Sequence, residues 1–295
     1  MLGADRLDHI AIRVSDLRGA ETYYREILGF DTAFRVDDGP TWLGGEDGRS
    51  SLALYPGEAD ERGAIEHFAY DLGVGTDLRK LADDLREEGY RVVHEPEEGP
   101  RPGSDSLGVL DPDGFTVRLV VPREEVVCAQ PLEKPPKTCS IAPQMLGHMV
   151  IKVSDTKKSE NFYQDLLGLK VTEYNELGLV FMRCTPLHHD LGLMPLQEGS
   201  TVGLHHMAFD IGTIPDMARA ECFLKENNIK IEKGPGFWNQ GHHVELYFFD
   251  PDLHAIELYV NMRRYEGEQH PETTPSFYRT VTIGEPEVRK EFQKF

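Results

Sequence analysis

The sequence predicts an α+β fold made of four βαβββ modules, paired into two similar domains. Two observations carry this. First, the chain repeats itself at an offset of 139 residues: Val14-Ser15-Asp16 through Ile27-Leu28-Gly29-Phe30 resembles Val153-Ser154-Asp155 through Leu166-Leu167-Gly168-Leu169. The same offset relates His9 to His148, His67 to His206, and Asp111-Pro112-Asp113 to Asp250-Pro251-Asp252. Second, a finer repeat lies inside each half, with His67 and His206 each 58 positions after His9 and His148. Each of these four histidines opens a similar run: HIAIRV, HFAYDL, HMVIKV and HMAFDI. A fixed period of this kind marks one supersecondary unit used several times.

The elements follow in order. The four histidine-led runs are short, apolar or aromatic, with polar residues on alternate positions, and so read as strands. Each is followed by a helix. In the third unit Ser154 or Asp155 can cap the first turn, and Gly168 can sit just past the last. Phe162 with Leu166, and Tyr163 with Leu167, form the apolar stripe. In the first unit Ser15, Tyr23, Ile27 and Gly29 take the matching parts. Residues 77–88 and 215–227 read as the other two helices, followed by Gly89 and Asn228, which tolerate a left-handed cap. About three strands follow each helix, such as Lys170–Tyr174 and Leu179–Arg183.

These boundaries predict an N-terminal domain over 1–122, a Pro-rich linker over 123–143, a C-terminal domain over 144–261 and a tail over 262–295. The tail emerges directly after the strand carrying Glu257, and is expected to cover the mouth of the C-terminal pocket.

Composition narrows the functional classes. The net charge is −20 with no Lys/Arg-rich run, so nucleic acid and anionic membrane are excluded as expected partners. The four cysteines form no CxxC pair, which argues against a zinc ribbon or disulfide framework and fits a reducing compartment. No apolar run approaches a membrane span, and Met1–Arg6 opens no signal peptide. A cytoplasmic protein is the expectation.

The candidate chemistry lies in the second half. Alternate side chains of a strand share a face, so a histidine at a strand start and a glutamate within another strand can converge in a curved sheet. His148, His206 and Glu257 fit that arrangement. Two imidazoles and a carboxylate on one side of an ion, with open positions opposite, are the non-haem Fe(II) pattern. In the first half His9 and His67 have the same context, but Arg118 stands where the matching glutamate would be. A guanidinium cannot ligate and repels a cation, so that domain is expected to be metal-free.

Together these residues resemble the vicinal oxygen chelate superfamily (glyoxalase, bleomycin-resistance and extradiol dioxygenase-like folds), and within it the two-domain type I extradiol catechol dioxygenases. The resemblance runs from residue 7 to about 260. It rests on the four modules, the set His148, His206 and Glu257, and the run Leu246-Tyr247-Phe248-Phe249-Asp250-Pro251-Asp252. The resemblance implies ring cleavage of a catecholic or related dihydroxy-aromatic substrate by O2, with Fe(II), or alternatively Mn(II), held by those three ligands. It implies that His189 is the pocket histidine, and that Tyr247, ten residues before Glu257, contacts the substrate hydroxyl. A homo-oligomer is expected.

The sequence departs from the family pattern at Trp238, where a second pocket histidine usually stands, and at Leu253 in the Asp-Pro-x-Gly turn. Trp238 is then a candidate substrate-contacting wall. His243, sharing parity with Tyr247, is the candidate to supply the missing proton-handling group. By the same parity, His188 should face away from His189, and His254 should be exposed. The alternatives are another metal-dependent enzyme of the superfamily, a glyoxalase-like lyase or isomerase, and a non-catalytic small-molecule-binding protein. The intact ligand set argues against the last, and the single carboxylate argues against the former.

Overall fold

The computed structural model describes residues 2–44, 50–58, 64–99, 101, 103–123, 141–267 and 270–280. The first module is β1 (Arg6–Val14), α1 (Leu17–Tyr23), β2 (Asp31–Arg35), β3 (Thr41–Gly44) and β4 (Ser50–Pro56). The second is β5 (Ile65–Asp71), α2 (Leu78–Glu87), β6 (Arg91–Glu98), β7 (Ser104–Leu110) and β8 (Thr116–Pro122). The third is β9 (Met145–Val153), α3 (Thr156–Leu167), β10 (Lys170–Asn175), β11 (Val180–Arg183) and β12 (Leu191–Pro195). The fourth is β13 (Gly203–Asp210), α4 (Ile214–Glu226), β14 (Ile231–Trp238), β15 (His243–Phe249) and β16 (Ala255–Val260). Two short strands, β17 (Glu272–Thr274) and β18 (Tyr278–Thr280), come from the tail. Most of the expected linker and the end of the tail lie outside the described residues.

Each half forms one sheet. The strand order is β2-β3-β4-β1-β5-β8-β7-β6 in the first, and β17-β10-β11-β12-β9-β13-β16-β15-β14-β18 in the second. The histidine-led strands pair antiparallel at the centre of each sheet, β1 with β5 and β9 with β13. The tail strands β17 and β18 add to opposite edges of the second sheet, against β10 and β14.

Short polar side chains start the helices, Asp155 in the third unit as expected and Asp16 rather than Ser15 in the first. Asp16, Asp77 and Asp155 each accept a backbone N–H of the following turn, and Thr213 forms a capping box with Asp216. Gly168 ends α3 at φ 68°, a left-handed value. The first helix differs from its repeat: past Tyr23 it widens into a π turn over Tyr24–Leu28.

One apolar core runs through both halves. Phe30 meets Phe209 edge to face at 5.3 Å across the boundary between them. The halves also grip each other reciprocally. Tyr24 donates to Asp250 Oδ2 at 2.8 Å, and Tyr163 donates to Asp111 Oδ2 at 2.7 Å. The Ser15 and Ser154 backbone N–H groups bond Asp252 and Asp113 at 3.1 Å. Each Asp-Pro-Asp turn thus holds the helix start of the opposite half.

Candidate metal centre

Three adjacent strands bring the ligand candidates together. Ala208 of β13 pairs in register with His148 of β9 on one side and Glu257 of β16 on the other. His206 lies two residues before Ala208, with a register shift between Leu204 and His206. Such a bulge re-aims a side chain. Ala208 itself is fully buried and packs with Leu187, Tyr259 and Met262.

Glu257 Oε2 lies 3.0 Å from His206 Nε2 and 3.3 Å from His148 Nε2, and the two imidazole nitrogens are 3.4 Å apart. All three side chains are buried. Burial pushes His148 down to about 4, against the pull of Glu257, so a proton is a poor occupant of the convergence. Glu257 Oε1 faces His243 Nε2 at 3.3 Å, an ion pair at the long end of hydrogen-bond range. Two imidazole nitrogens and a carboxylate oxygen, buried and aimed at one point, form a donor set that would suit a divalent cation.

The other pocket candidates surround this point. His189 is fully buried with its ring centroid 4.1 Å from that of His148, and its Nε2 has no partner among the described residues. Tyr247 donates to Glu257 Oε2 at 2.6 Å and lies 3.2 Å from Glu245 Oε2. His243 is fully buried, with Nε2 3.2 Å from Glu245 Oε2 and 3.3 Å from Glu257 Oε1. Burial opposes its protonation, but the two carboxylates raise it to about 9, so in the metal-free chain it is a cation and a donor. Trp238 packs its ring 5.9 Å from His243 and 5.8 Å from Phe181, while its indole N–H donates to Ser276 of the tail at 2.9 Å. The indole donor is therefore used by the tail. Asn239 also bonds Pro275 O and receives the Phe277 N–H, so the described part of the tail packs against Trp238 and Asn239 at the end of β14.

Three features were not read from the sequence. Glu245 is a second buried carboxylate, forming with His243 and Glu257 another cluster of potential ligand atoms. Its signal was present: residues 243, 245 and 247 share one face of β15. Lys233 meets Glu245 Oε1 at 2.5 Å and lies over the rings of Trp238, Tyr247 and Tyr278. Its ammonium pairs with the Glu245 oxygen other than the one that faces His243. Tyr259, two residues past Glu257, passes so close to Gly147 that a Cβ there would lie 1.9 Å from the hydroxyl.

His254 corrects an expectation: it is buried, with Nδ1 2.7 Å from Asp250 Oδ2. Parity failed there because β16 begins at Ala255, and His254 still belongs to the turn. The same turn places Leu253 at φ 67°, a left-handed position that Gly114 fills in the first half.

In the first half the equivalent histidines face each other, His9 Nε2 to His67 Nε2 at 2.9 Å, with His9 Nδ1 2.7 Å from Asp8. Arg118 pairs with Ala69, the register position Glu257 holds against Ala208, and donates to Ser106 at 2.9 Å.

Fold and site together define a paired-βαβββ protein with a candidate metal centre. The chain belongs to the Glyoxalase/Bleomycin resistance protein/Dioxygenase superfamily, whose model matches residues 6–119 and again 145–258. It is 27% identical over 286 residues to a manganese-dependent 2,3-dihydroxybiphenyl 1,2-dioxygenase of Geobacillus genomosp. 3, covering 85% of this chain and 89% of the relative. An iron-dependent extradiol dioxygenase of Rhodococcus jostii is 23% identical over 280 residues, covering 89% and 91%. Among solved structures, the 2,3-dioxygenase LapB from Pseudomonas sp. KL28 superposes with a TM-score of 0.79 at 20% identity, covering 93% of this chain and 98% of that one. No helix among the described residues is long and apolar enough to cross a membrane.

Proposed function

We propose that this chain is an extradiol ring-cleavage dioxygenase, inserting O2 into a catecholic or related dihydroxy-aromatic ring. The observation that carries the reading is the convergence of His148, His206 and Glu257 beside an unpartnered His189 Nε2. The names of the relatives, one manganese-dependent and one iron-dependent, agree with it. We take Fe(II) as the resident metal, with Mn(II) the alternative. Bound there, the ion supplies chelation of both ring hydroxyls and a route for charge between ring and O2.

The chain's own groups do the rest. One carboxylate and two neutral imidazoles leave a divalent site at net +1, able to accept a catecholate. His189 Nε2, buried and without a partner, takes or returns a proton at the substrate. Tyr247 anchors Glu257 and would contact a substrate hydroxyl. His243 stands in for the histidine replaced by Trp238, and Trp238 with Phe181 forms an apolar wall that selects ring shape. A positioned acid–base group contributes about 10²–10⁴-fold.

The test is anaerobic reconstitution with Fe(II) or Mn(II), followed by O2 and a panel of catechols. The expected result is one metal per chain, O2 uptake and a yellow ring-cleaved product. His189→Ala should lower turnover at least about 10²-fold with metal retained. Full metal loading without O2 uptake on any dihydroxy-aromatic ring would overturn the reading.

A further inference from the structure

His189 is not the end of its own hydrogen-bonded line. Behind it, His189 Nδ1 lies 2.9 Å from His188 Nδ1, and His188 Nε2 lies 2.8 Å from Glu173 Oε2 on β10. All three side chains are buried. The loop that carries the two histidines is held firmly. Thr172 donates to His188 O at 2.8 Å, and Asp190 accepts the Cys184 and Thr185 backbone N–H groups at 2.8 and 3.0 Å. Tyr265 stacks on His188 at 5.8 Å, and Gln240 reaches the other Glu173 oxygen at 3.4 Å. The far end of this line, His189 Nε2, is the buried atom without a partner beside His148.

The protons on this line can be placed by elimination. A carboxylate accepts and does not donate, so His188 Nε2 carries the proton toward Glu173. Burial raises Glu173, but its bonds to His188, Thr274 and Gln240 bring it below the ordinary carboxylate value, so it is ionised. Burial lowers His188 despite Glu173, so that imidazole is neutral and holds one proton. His188 Nδ1 is then bare. Two bare nitrogens at 2.9 Å would repel, so His189 Nδ1 must donate. A neutral His189 is left with a bare Nε2.

We propose that Glu173 and His188 are positioning residues that fix His189 in the Nδ1–H tautomer, so that its Nε2 enters the pocket as an acceptor and base. Hydrogen bonding to one ring nitrogen sets what the other can do. The signal lies in a carboxylate that sequence spacing keeps apart from the adjacent histidines. Glu173 is fifteen positions before His188, on a strand that meets the histidine loop only in the folded sheet. The catalytic consequence, though not the tautomer, rests on the dioxygenase reading above.

The experiment reads the tautomer directly. The full chain is labelled with ¹⁵N-histidine and loaded with diamagnetic Zn(II), and long-range ¹H–¹⁵N correlations are recorded, with His189→Gln used for assignment. The expected wild-type spectrum has His189 Nδ1 protonated and Nε2 bare. Glu173→Leu removes the acceptor and should mix or reverse the pattern, while Glu173→Gln keeps a carbonyl acceptor and should preserve it. With Fe(II) and catechol, Glu173→Leu should lower kcat about 10- to 100-fold with KM unchanged, and Glu173→Gln should recover most of it. A wild-type spectrum with His189 Nε2 protonated overturns the proposal even if neither variant folds. A wild-type pattern unchanged in Glu173→Leu overturns it as well. The expected spectrum without ring cleavage would sink the dioxygenase reading and leave the tautomer assignment standing.

Discussion

The reciprocal grip between the halves makes an unequal prediction from equal geometry. Tyr24→Phe and Tyr163→Phe each delete one buried hydroxyl that donates to a buried aspartate. Asp250 Oδ2 keeps a second partner, His254 Nδ1 at 2.7 Å. In the first half the position of His254 is occupied by Phe115, and Tyr163 is the partner the described residues give Asp111 Oδ2. A hydrogen bond to a charged group contributes about 1.5–3 kcal/mol, with the larger cost falling where an acceptor is left unpaired. Tyr24→Phe should therefore cost about 1.5 kcal/mol and Tyr163→Phe about 3 kcal/mol. The gap should depend on pH. Burial pushes Asp111 up to about 6, and the Tyr163 bond holds it down, so the variant's Asp111 titrates higher still. At pH 5 that carboxyl is neutral, only a neutral hydrogen bond of about 1 kcal/mol is lost, and the gap should close. Urea unfolding of both variants at pH 7.5 and pH 5 is the assay. Equal costs at pH 7.5, or a gap that acid leaves untouched, would refute the reasoning.

Other expectations follow from single features. Leu253→Gly relieves a left-handed φ of 67° at an exposed position. It should stabilise the chain by about 0.5–1 kcal/mol, read as a rise in Tm. His9→Ala and His67→Ala should leave metal content at one per chain by elemental analysis, because Arg118 holds the place of the carboxylate. A drop in either would reassign the metal. Metal-free protein should be most stable near neutrality. Folding depresses His148 to about 4, so its contribution is present above about 6.5 and lost as pH falls toward 4, by up to about 1.4 kcal/mol per unit. Folding raises His243 to about 9, so its contribution is full below about 6.5 and lost as pH rises through 9. Calorimetry giving a flat Tm from pH 5 to 9 would contradict both assignments.

The module order and the convergence of the ligand candidates were legible because both depend on period. A repeat of 139 residues fixes equivalent positions, and strand alternation fixes faces. His148, His206 and Glu257 therefore meet where parity puts them. What stayed hidden depends on partners across the sheet. Glu173 and His188 meet through a strand and a loop whose approach no local pattern announces. Lys233 reaches Glu245 only because β14 and β15 pair with register shifts between Ile231 and Gly236. His254 shows the limit of alternation: one residue outside the ladder, the backbone turns and parity carries no information. The π turn after Tyr23 likewise breaks an equivalence that the repeat led one to expect.

The Asp-Pro-Asp sockets also bear on what one half of a repeated fold contributes to the other. In the second half the socket residue Asp250 and the ligand candidate Glu257 lie on one continuous stretch, the turn feeding directly into β16. Tyr24 and Ser15 of the first half seat that turn. The first half carries Arg118 at the register position of Glu257, and what it lends its twin is an anchorage rather than a ligand. Separated halves would each present an empty socket and an unsupported tyrosine. The seating of the turn that feeds the Glu257 strand therefore depends on residues of the half that carries Arg118.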